Sequence, residues 1–555
     1  MDLACEIRQQ AISRRRLVVY GLILVGGAMR LYALGEKALW VDEINSVQHA
    51  KTVEVLMDHC RTGHEPPLRY LLVWALQRAP NPDFAVRLPA AVLGTLSILL
   101  MLWVGERLWN WRAGVVAAVL LLLSPWHLNH SQDARYYAVM LFLALAAVGL
   151  AVRIVEQPRP LWRWVVLAIV CALDLYISYV ALFAVAPVAG YLMWSGLWSW
   201  LGLREREQAK AFLRGAAVGA VVGFLCLAPW LPVMFGLFEK YTEPPPPPQV
   251  AADTASQPAE SNTVQAGSAE SLQPAPPPPA RQRILGFQTR YDRELVNEFL
   301  RKLGPDPRVV TSKPLQLLVL AVTWSLLGFF VLGLAFATFH DHRITILTVL
   351  WFVFPWVVIF NTGIRYFCPP RYLIHYLGLY LPLAAVGIVV VWSWLERLIV
   401  SETAPTRGGR MRRSAFYVVT AAIAFAAVLA YGSNHAYYYR YPKQDWKAAV
   451  RFLEQNADLT EAVLAGGFWS DLALLYYGSE ISKPLNLVIH VTMAYQIEYE
   501  MAIHRRVWYV TWGPMFPEVA DLLARRFDPP QRFKGTQGDV FVYRSKADEG
   551  GNGGG

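Results

Sequence analysis

Long apolar runs alternate with short polar breaks along most of this chain, and the runs have the length a bilayer requires. Stretches able to span lie near 17–34, 86–106, 112–126, 136–153, 162–178, 179–200, 212–237, 315–339, 344–361, 372–395 and 415–432. The pattern predicts about eleven transmembrane helices, since some 20 apolar residues in a helix cross the hydrocarbon core. Two segments interrupt it. Residues 243–280 carry Pro244 to Pro248 and Pro276 to Pro279 around an Ala, Ser and Gln-rich middle. Such a composition buries no core, so a disordered Pro-rich insertion in an outer loop is expected. Residues 292–304, DRELVNEFLRKLG, have helical apolar spacing and end on Gly, which predicts a short surface helix.

After residue 433 the period changes. DWKAAVRFLEQN reads as an amphipathic helix, and AVLAGG, PLNLVIHV, VWYVTW and VFVYR read as strands. Residues 434–545 are therefore expected to form a small α/β domain, most simply a rigid cap, followed by a disordered Gly-rich tail at 546–555. The expected fold class is mainly α, a polytopic membrane helix bundle over 1–433 with a small C-terminal extracytoplasmic α/β domain.

Composition agrees with the pattern. Of 555 residues 55% are hydrophobic and only 17% charged, with 21 Trp and 26 Tyr, a balance foreign to soluble domains. The formal charge of +10 would suit nucleic acid in a soluble protein. Here the Arg and Lys residues sit in short loops between spans, so positive-inside topology accounts for them and no nucleic-acid partner is expected. Arg14, Arg15 and Arg16 precede the first run without a small-residue cleavage site, the pattern of a signal anchor. With that end in the cytoplasm, Arg107, Arg112, Arg153, Arg163, Arg204, Lys210, Arg343 and the basic run from Arg407 to Arg413 all fall inside. The alternate loops and the C-terminal domain then lie outside the cytoplasmic membrane. Cys5, Cys60, Cys171, Cys226 and Cys368 are scattered, which argues against a disulfide framework or a zinc site.

The candidate chemistry gathers in the outer loops. WVDE, Trp40 to Glu43, puts two adjacent carboxylates just past the first span, at a depth where an acid costs solvation energy. On a helix start they diverge by about 100°, so one of them reacts and the other supports. The plain alternative is capping, because Asp and Glu both suit a first turn. His64 and Glu65 precede Pro66 and Pro67, which fix the start of a helix and thereby where the polar pair points; a solvated turn is the bland reading. SPWHLNHSQDARYY, Ser124 to Tyr137, adds Asp133 and Arg135, which either pair with each other or face a substrate. His127 and His130 in the same loop are read as interfacial polar residues and not as metal ligands. In CPPRYLIHYLGLYLP, Cys368 to Pro382, Arg371 stands at the mouth of a span where a guanidinium can grip a phosphate bidentately, or simply snorkel. His375 is one turn further on and is expected in the same cavity. Arg87, in FAVRLP, reads as an anchor.

The ordered set WVDE, HEPPLRYLL, VRLPAA, SPW with QDARYY, and PPRYLIHYLGLYLP resembles bacterial membrane glycosyltransferases of the GT-C superfamily. The branch is that of protein O-mannosyltransferases, lipid A aminoarabinose transferases and lipopolysaccharide glycosyltransferases, and the likeness runs through most of 15–400. What it implies is transfer of a sugar from a polyprenyl-phosphate donor to a lipid, glycan or protein acceptor at the outer face, with inversion. By that resemblance Asp42 is the general base and Asp133 the second catalytic acid. Arg371 stabilises the leaving phosphate, and Glu43, His64, Glu65, Arg135, Tyr136 and His375 contact substrate. The family commonly presents an acidic pair at the second site, whereas here Asp133 stands between Gln132 and Ala134. No cofactor is required by these residues; a divalent cation on Asp42 and Asp133 is the open option. The Pro-rich insertion has no counterpart in the pattern. A transporter or flippase is the competing class, with Asp174 in LDLYISY as its best intramembrane polar candidate.

Overall fold

A computed structural model describes residues 2–201, 206–242, 290–361, 369–401, 407–479, 481–513 and 515–546. The Pro-rich stretch 243–280, Cys368 and the tail from 547 onward lie outside the described residues. The molecule is a helix bundle with one small sheet at its C-terminal end, the expected class, and it is a multi-pass membrane protein. Among the described residues eight helices are long and apolar enough to cross a membrane, or nine if one bent pair counts as a span. The expected eleven included two more segments, and both are helical. Asp2–Leu31 carries Arg14, Arg15, Arg16 and Arg30 within its length, and Leu161–Ile177 is 17 residues long, at the lower limit for spanning.

Burial ranks the helices. Of the 18-residue apolar core of each helix, 83% is buried in Pro370–Val400 and 72% in Tyr137–Glu156, against only 6% in Glu207–Gly236. The centre is held by close backbone approach. A Cβ on Gly333 of Lys313–His340 would fall 1.8 Å from the Leu383 carbonyl oxygen of Leu377–Glu396, and a Cβ on Gly387 would fall 2.0 Å from the Phe329 oxygen. Only glycine permits that contact, the usual device where both surroundings and interface are apolar.

The bent pair is Trp111–Leu123 and Pro125–Ser131, which meet at 63°. Ser124 stops the first helix and caps the second, its Oγ accepting from His127 N (3.3 Å), and Pro125 occupies the first helical position, where no amide hydrogen is needed. The bend turns His127, His130 and the Asp133 loop back into the bundle.

The helix Arg407–Arg440 leads directly into the C-terminal region. Its sheet has β1 (Ala462–Gly466), β2 (Asn486–Val488), β3 (Val507–Trp512), β4 (Gln531–Phe533) and β5 (Val540–Arg544) in the order β2-β1-β3-β5-β4. β1 runs parallel to β2 and β3, while β5 is antiparallel to β3 and β4. The short β4 is an element that the hydrophobic pattern does not reveal. Helices Trp446–Asn456 and Phe468–Gly478 pack against the sheet.

This region is fastened to the first loop of the chain by specific bonds. Leu39 N donates to Tyr477 Oη (2.6 Å), Val41 N donates to Gln444 Oε1 (3.1 Å), and Lys447 pairs with Asp83. Lys37 Nζ reaches the Tyr438 carbonyl at 2.7 Å.

Candidate active site

Trp40 precedes the helix Val41–His49, and the two acids of WVDE separate there as helix geometry requires. Asp42 faces a cavity of about 840 Å³. Its Oδ2 lies 3.2 Å from Arg371 Nη2 and 3.9 Å from Arg135 Nε, with its side chain 14% exposed. Glu43 is fully buried and points elsewhere. Its carboxylate takes two bonds from Arg87, Nη2 at 2.6 Å and Nε at 2.8 Å, one from Ala134 N (2.8 Å) and one from Trp40 N (3.2 Å). Every lone pair has a donor. Glu43, expected among the substrate contacts, does not line the cavity; it locks the 40s loop to the QDARYY loop. Arg87, expected as a simple anchor, is the other half of that lock and also donates to the carbonyls of Leu34, Lys37 and Ala38.

Asp133 is likewise enclosed. It is 0% exposed, with Lys443 Nζ at 2.6 Å, Trp40 Nε1 at 3.1 Å, Arg135 N at 3.0 Å and His130 Nδ1 at 3.3 Å. Burial alone would raise its pKa, but the Lys443 ammonium and the His130 bond outweigh it and hold the carboxyl well below the usual carboxylate range. It does not line the cavity, so whatever it does for chemistry passes through Trp40, Arg135 and Lys443. Trp40 is gripped from both faces' surroundings: Arg371 sits 5.3 Å and Lys443 4.7 Å from its ring centroid.

Arg371 is carried by a short 3-10 turn, Pro370–Tyr376, at the mouth of Leu377–Glu396, where Pro369 and Pro370 keep the entering chain extended. Its guanidinium also lies 5.9 Å from the Tyr372 ring. Arg135 Nη1 donates to Ser46 Oγ (3.3 Å). Burial opposes its charge, yet Tyr137 and Asp42 more than offset this and keep it above the ordinary guanidinium value. Asp42 and Arg371 thus meet at the cavity wall, and Arg135 joins their charged cluster through Asp42.

The other expected contacts fall outside the cavity. Tyr136 adopts a left-handed backbone (φ 59°), is fully buried and donates from its hydroxyl to Val86 O at 3.0 Å. His64, also left-handed at φ 51°, places Nδ1 3.1 Å from Val233 O and pins the HEPP turn to the helix Leu231–Thr242. Glu65 accepts from Tyr70 Oη at 2.7 Å and pairs with Arg69. Arg69 interacts electrostatically with Arg135, Tyr372 and Tyr137, so this pair adjoins the cluster from behind. His375 packs among Trp351, Phe183 and Tyr376 with ring centroids 4.8 to 6.0 Å apart, an aromatic setting away from the cavity lining.

No group of three or more His, Cys, Asp or Glu able to hold a metal occurs among the described residues. Both candidate carboxylates already face cations, an environment that disfavours a divalent ion. His127 and His130 point to different partners, Arg30 at 2.9 Å and Asp133. Asp174 is buried in Leu161–Ile177 and is not part of the cavity wall.

Three walls enclose the cavity. Trp40, Asp42, Asn129 and Arg371 belong to the membrane bundle; Glu298, Lys302 and Arg308 come from the helix Arg290–Lys302 and the turn after it; Trp469, Trp512, Thr536 and Gln537 come from the C-terminal region. The last group, together with Lys443, was invisible in the sequence reading. Lys443 sits 310 residues from the acid it pairs with, and nothing in PKQDW signals that distance. Arg69 was legible as a lone cation within the apolar LRYLLVWAL.

Residues 64–232 match the family model of dolichyl-phosphate-mannose-protein mannosyltransferase. The matched stretch includes the HEPP turn, Arg87 and the SPW and QDARYY loop. Over that stretch the chain is similar to this mannosyltransferase family. No curated protein matches the chain by sequence. Among solved structures, the chain is similar to ArnT from Cupriavidus metallidurans bound to undecaprenyl phosphate, at 12% identity and a TM-score of 0.48, over 98% of this chain and 100% of that one. The apo state of the same protein aligns at 13% identity and 0.49, over 96% and 98%. The Archaeoglobus fulgidus oligosaccharyltransferase tethered to an acceptor peptide aligns at 11% identity and 0.49, over 95% of this chain and 74% of that one. Likenesses at this level carry no argument about substrate.

Proposed function

We propose that this protein moves a sugar from a polyprenyl-phosphate-linked donor to an acceptor hydroxyl at the outer face of the cytoplasmic membrane, with inversion and with Asp42 as general base. The observation that carries the reading is the meeting of Asp42 and Arg371 on one wall of a cavity of about 840 Å³, with Arg135 Nε 3.9 Å from the same carboxylate. Asp42 takes the proton of the acceptor hydroxyl while its oxygen attacks the anomeric carbon. The bond from that carbon to the phosphate oxygen breaks on the opposite side, and the polyprenyl phosphate leaves with the electron pair. Arg371 meets the charge that develops there, as a preorganised cation does where negative charge grows. A phosphate drawing Arg371 away from Asp42 leaves the carboxylate free to accept a proton. Loop charge supports the orientation, with the N-terminus cytoplasmic and this cavity on the far side.

Asp42→Asn tests the base. Transfer from a polyprenyl-phosphate sugar is expected to fall by about 10²–10⁴-fold, the usual contribution of a positioned base, while donor lipid still binds. Full turnover by this variant would remove the assignment. Arg371→Ala is expected to raise the donor KM by about ten- to a hundredfold, the loss of a charged hydrogen bond; unchanged donor kinetics would strip Arg371 of its phosphate role. Flux of a glycolipid through proteoliposomes without any transfer product would instead favour the transporter reading.

A further inference from the structure

The C-terminal wall of the cavity has a chemistry unlike the wall that holds Asp42. Trp469 opens the helix that follows β1, and Trp512 ends β3, which pairs with β1 in parallel. Both tryptophans therefore stand at the carboxyl ends of adjacent parallel strands, the edge at which open α/β sheets take ligands. Trp469 is 39% exposed and lines the cavity. Beside them the turn between β4 and β5 offers Thr536 and Gln537, and the bundle side offers Asn129.

That turn is held tightly. Thr536 N donates to Pro442 O (2.8 Å) and Gln537 N to Lys443 O (2.9 Å). Gly535 and Gly538 allow the approach: a Cβ on Gly535 would fall 2.3 Å from the Lys443 oxygen, and one on Gly538, at φ 135°, would fall 2.4 Å from Trp512 Nε1. The segment 442–444 thus holds this turn with its backbone and the Trp40 loop with its side chains. The aromatic wall and Asp42 are parts of one rigid frame.

We infer that this wall is the acceptor subsite and that the acceptor is a saccharide, the inference resting on the transferase reading above. Flat indole faces suit the apolar C–H faces of a pyranose, while hydroxyl and amide side chains supply the mixed donors and acceptors that vicinal hydroxyls need. The remaining wall makes little demand for charge. Arg308 is paired with Glu298 (2.6 Å) and Asp306 (2.7 Å), Arg301 with Glu298 (3.1 Å), and Lys302 interacts electrostatically with the same two acids. A peptide acceptor laid along a sheet would need an edge strand, and β3, which carries Trp512, lies inside the sheet.

The test uses the full chain in nanodiscs and saturation-transfer NMR against two panels. One holds neutral disaccharides of glucose, galactose and N-acetylglucosamine; the other holds short Ser- and Thr-containing peptides. Wild type is expected to bind saccharides, with affinity about tenfold weaker in Trp469→Ala and Trp512→Ala and largely kept in Trp469→Phe, since tenfold is about 1.4 kcal/mol, within the range of one aromatic contact. Polyprenyl phosphate binding by native mass spectrometry should be unchanged in all three variants, which shows that they fold. Saccharide binding indifferent to both tryptophans, binding of peptides alone, or no saccharide binding by wild type would each overturn the inference. Full transfer by Asp42→Asn alongside saccharide binding that depends on the tryptophans would sink the base assignment alone, so failure of the base assignment and failure of the subsite are read separately.

Discussion

At the scale of single residues, adjacent carboxylates have opposite fates. Asp42 keeps a free edge toward the cavity, whereas Glu43 is saturated by Arg87, Ala134 N and Trp40 N. Removing one partner from a buried ion pair leaves an uncompensated charge, so Glu43→Ala and Arg87→Ala are each expected to cost about 3–5 kcal/mol. Thermal unfolding in detergent should register this for both, while Asp42→Asn should leave the transition nearly in place. Equal midpoints for Glu43→Ala and wild type would contradict the lock. Helix periodicity alone predicts that the two acids diverge, and their side chains do take separate partners. It did not reveal that Glu43 is structural, because the partner that defines it lies 44 residues away and reads in isolation as an interfacial anchor. Tyr136 misleads in the same manner: its type and place in QDARYY suggest substrate, but a left-handed backbone turns it to Val86.

At the scale of elements, spans and the surface helix were legible because burial in lipid writes itself as long apolar runs. Breaks were less so. The 63° bend after Ser124 rests on one cap and one proline, a signal also compatible with an ordinary loop. The contact between Lys313–His340 and Leu377–Glu396 depends on two glycines among many in the chain. Gly387→Leu should force these helices apart and lower the unfolding midpoint, whereas Gly328→Ala, with nothing within 4 Å of its Cβ position, should not. Equal midpoints would show that the bundle yields at this seam. The loop after the first helix, Asp2–Leu31, carries a pH dependence of its own. His49 and His59 stack with centroids 3.7 Å apart, and burial, then His49, pulls His59 from 6.5 down to about 4. The unfolded loop binds the proton more readily than the folded one. Its stability is therefore full above about pH 6.5, declines as pH falls toward about 4, and changes no further below that for this group. Limited proteolysis across that range should show increasing cleavage in 41–76, and His59→Phe should flatten the profile.

For the whole molecule, the decisive feature is that the site is assembled from both ends of the chain. The α/β pattern at the C-terminus was readable from its strands, and a rigid cap was the natural role for it. The docked geometry changes that role: it supplies Lys443 to Asp133, Gln444 to the Val41 amide, and an aromatic wall to the cavity. No local signal announces such contacts, since they join residues that become neighbours only when the bundle closes. A chain ending at Arg440 should still insert as a bundle yet show no transfer, and activity in that truncation would refute the shared frame.

The bond from Val41 to Gln444 spans 403 residues. During translation, at roughly 5–20 residues per second, the Trp40 loop emerges early and waits on the order of half a minute for its partner. The nascent protein can thus be fully threaded into the bilayer while the loop that carries Asp42 is still unfastened, and that loop is fixed only once Gln444 has been made.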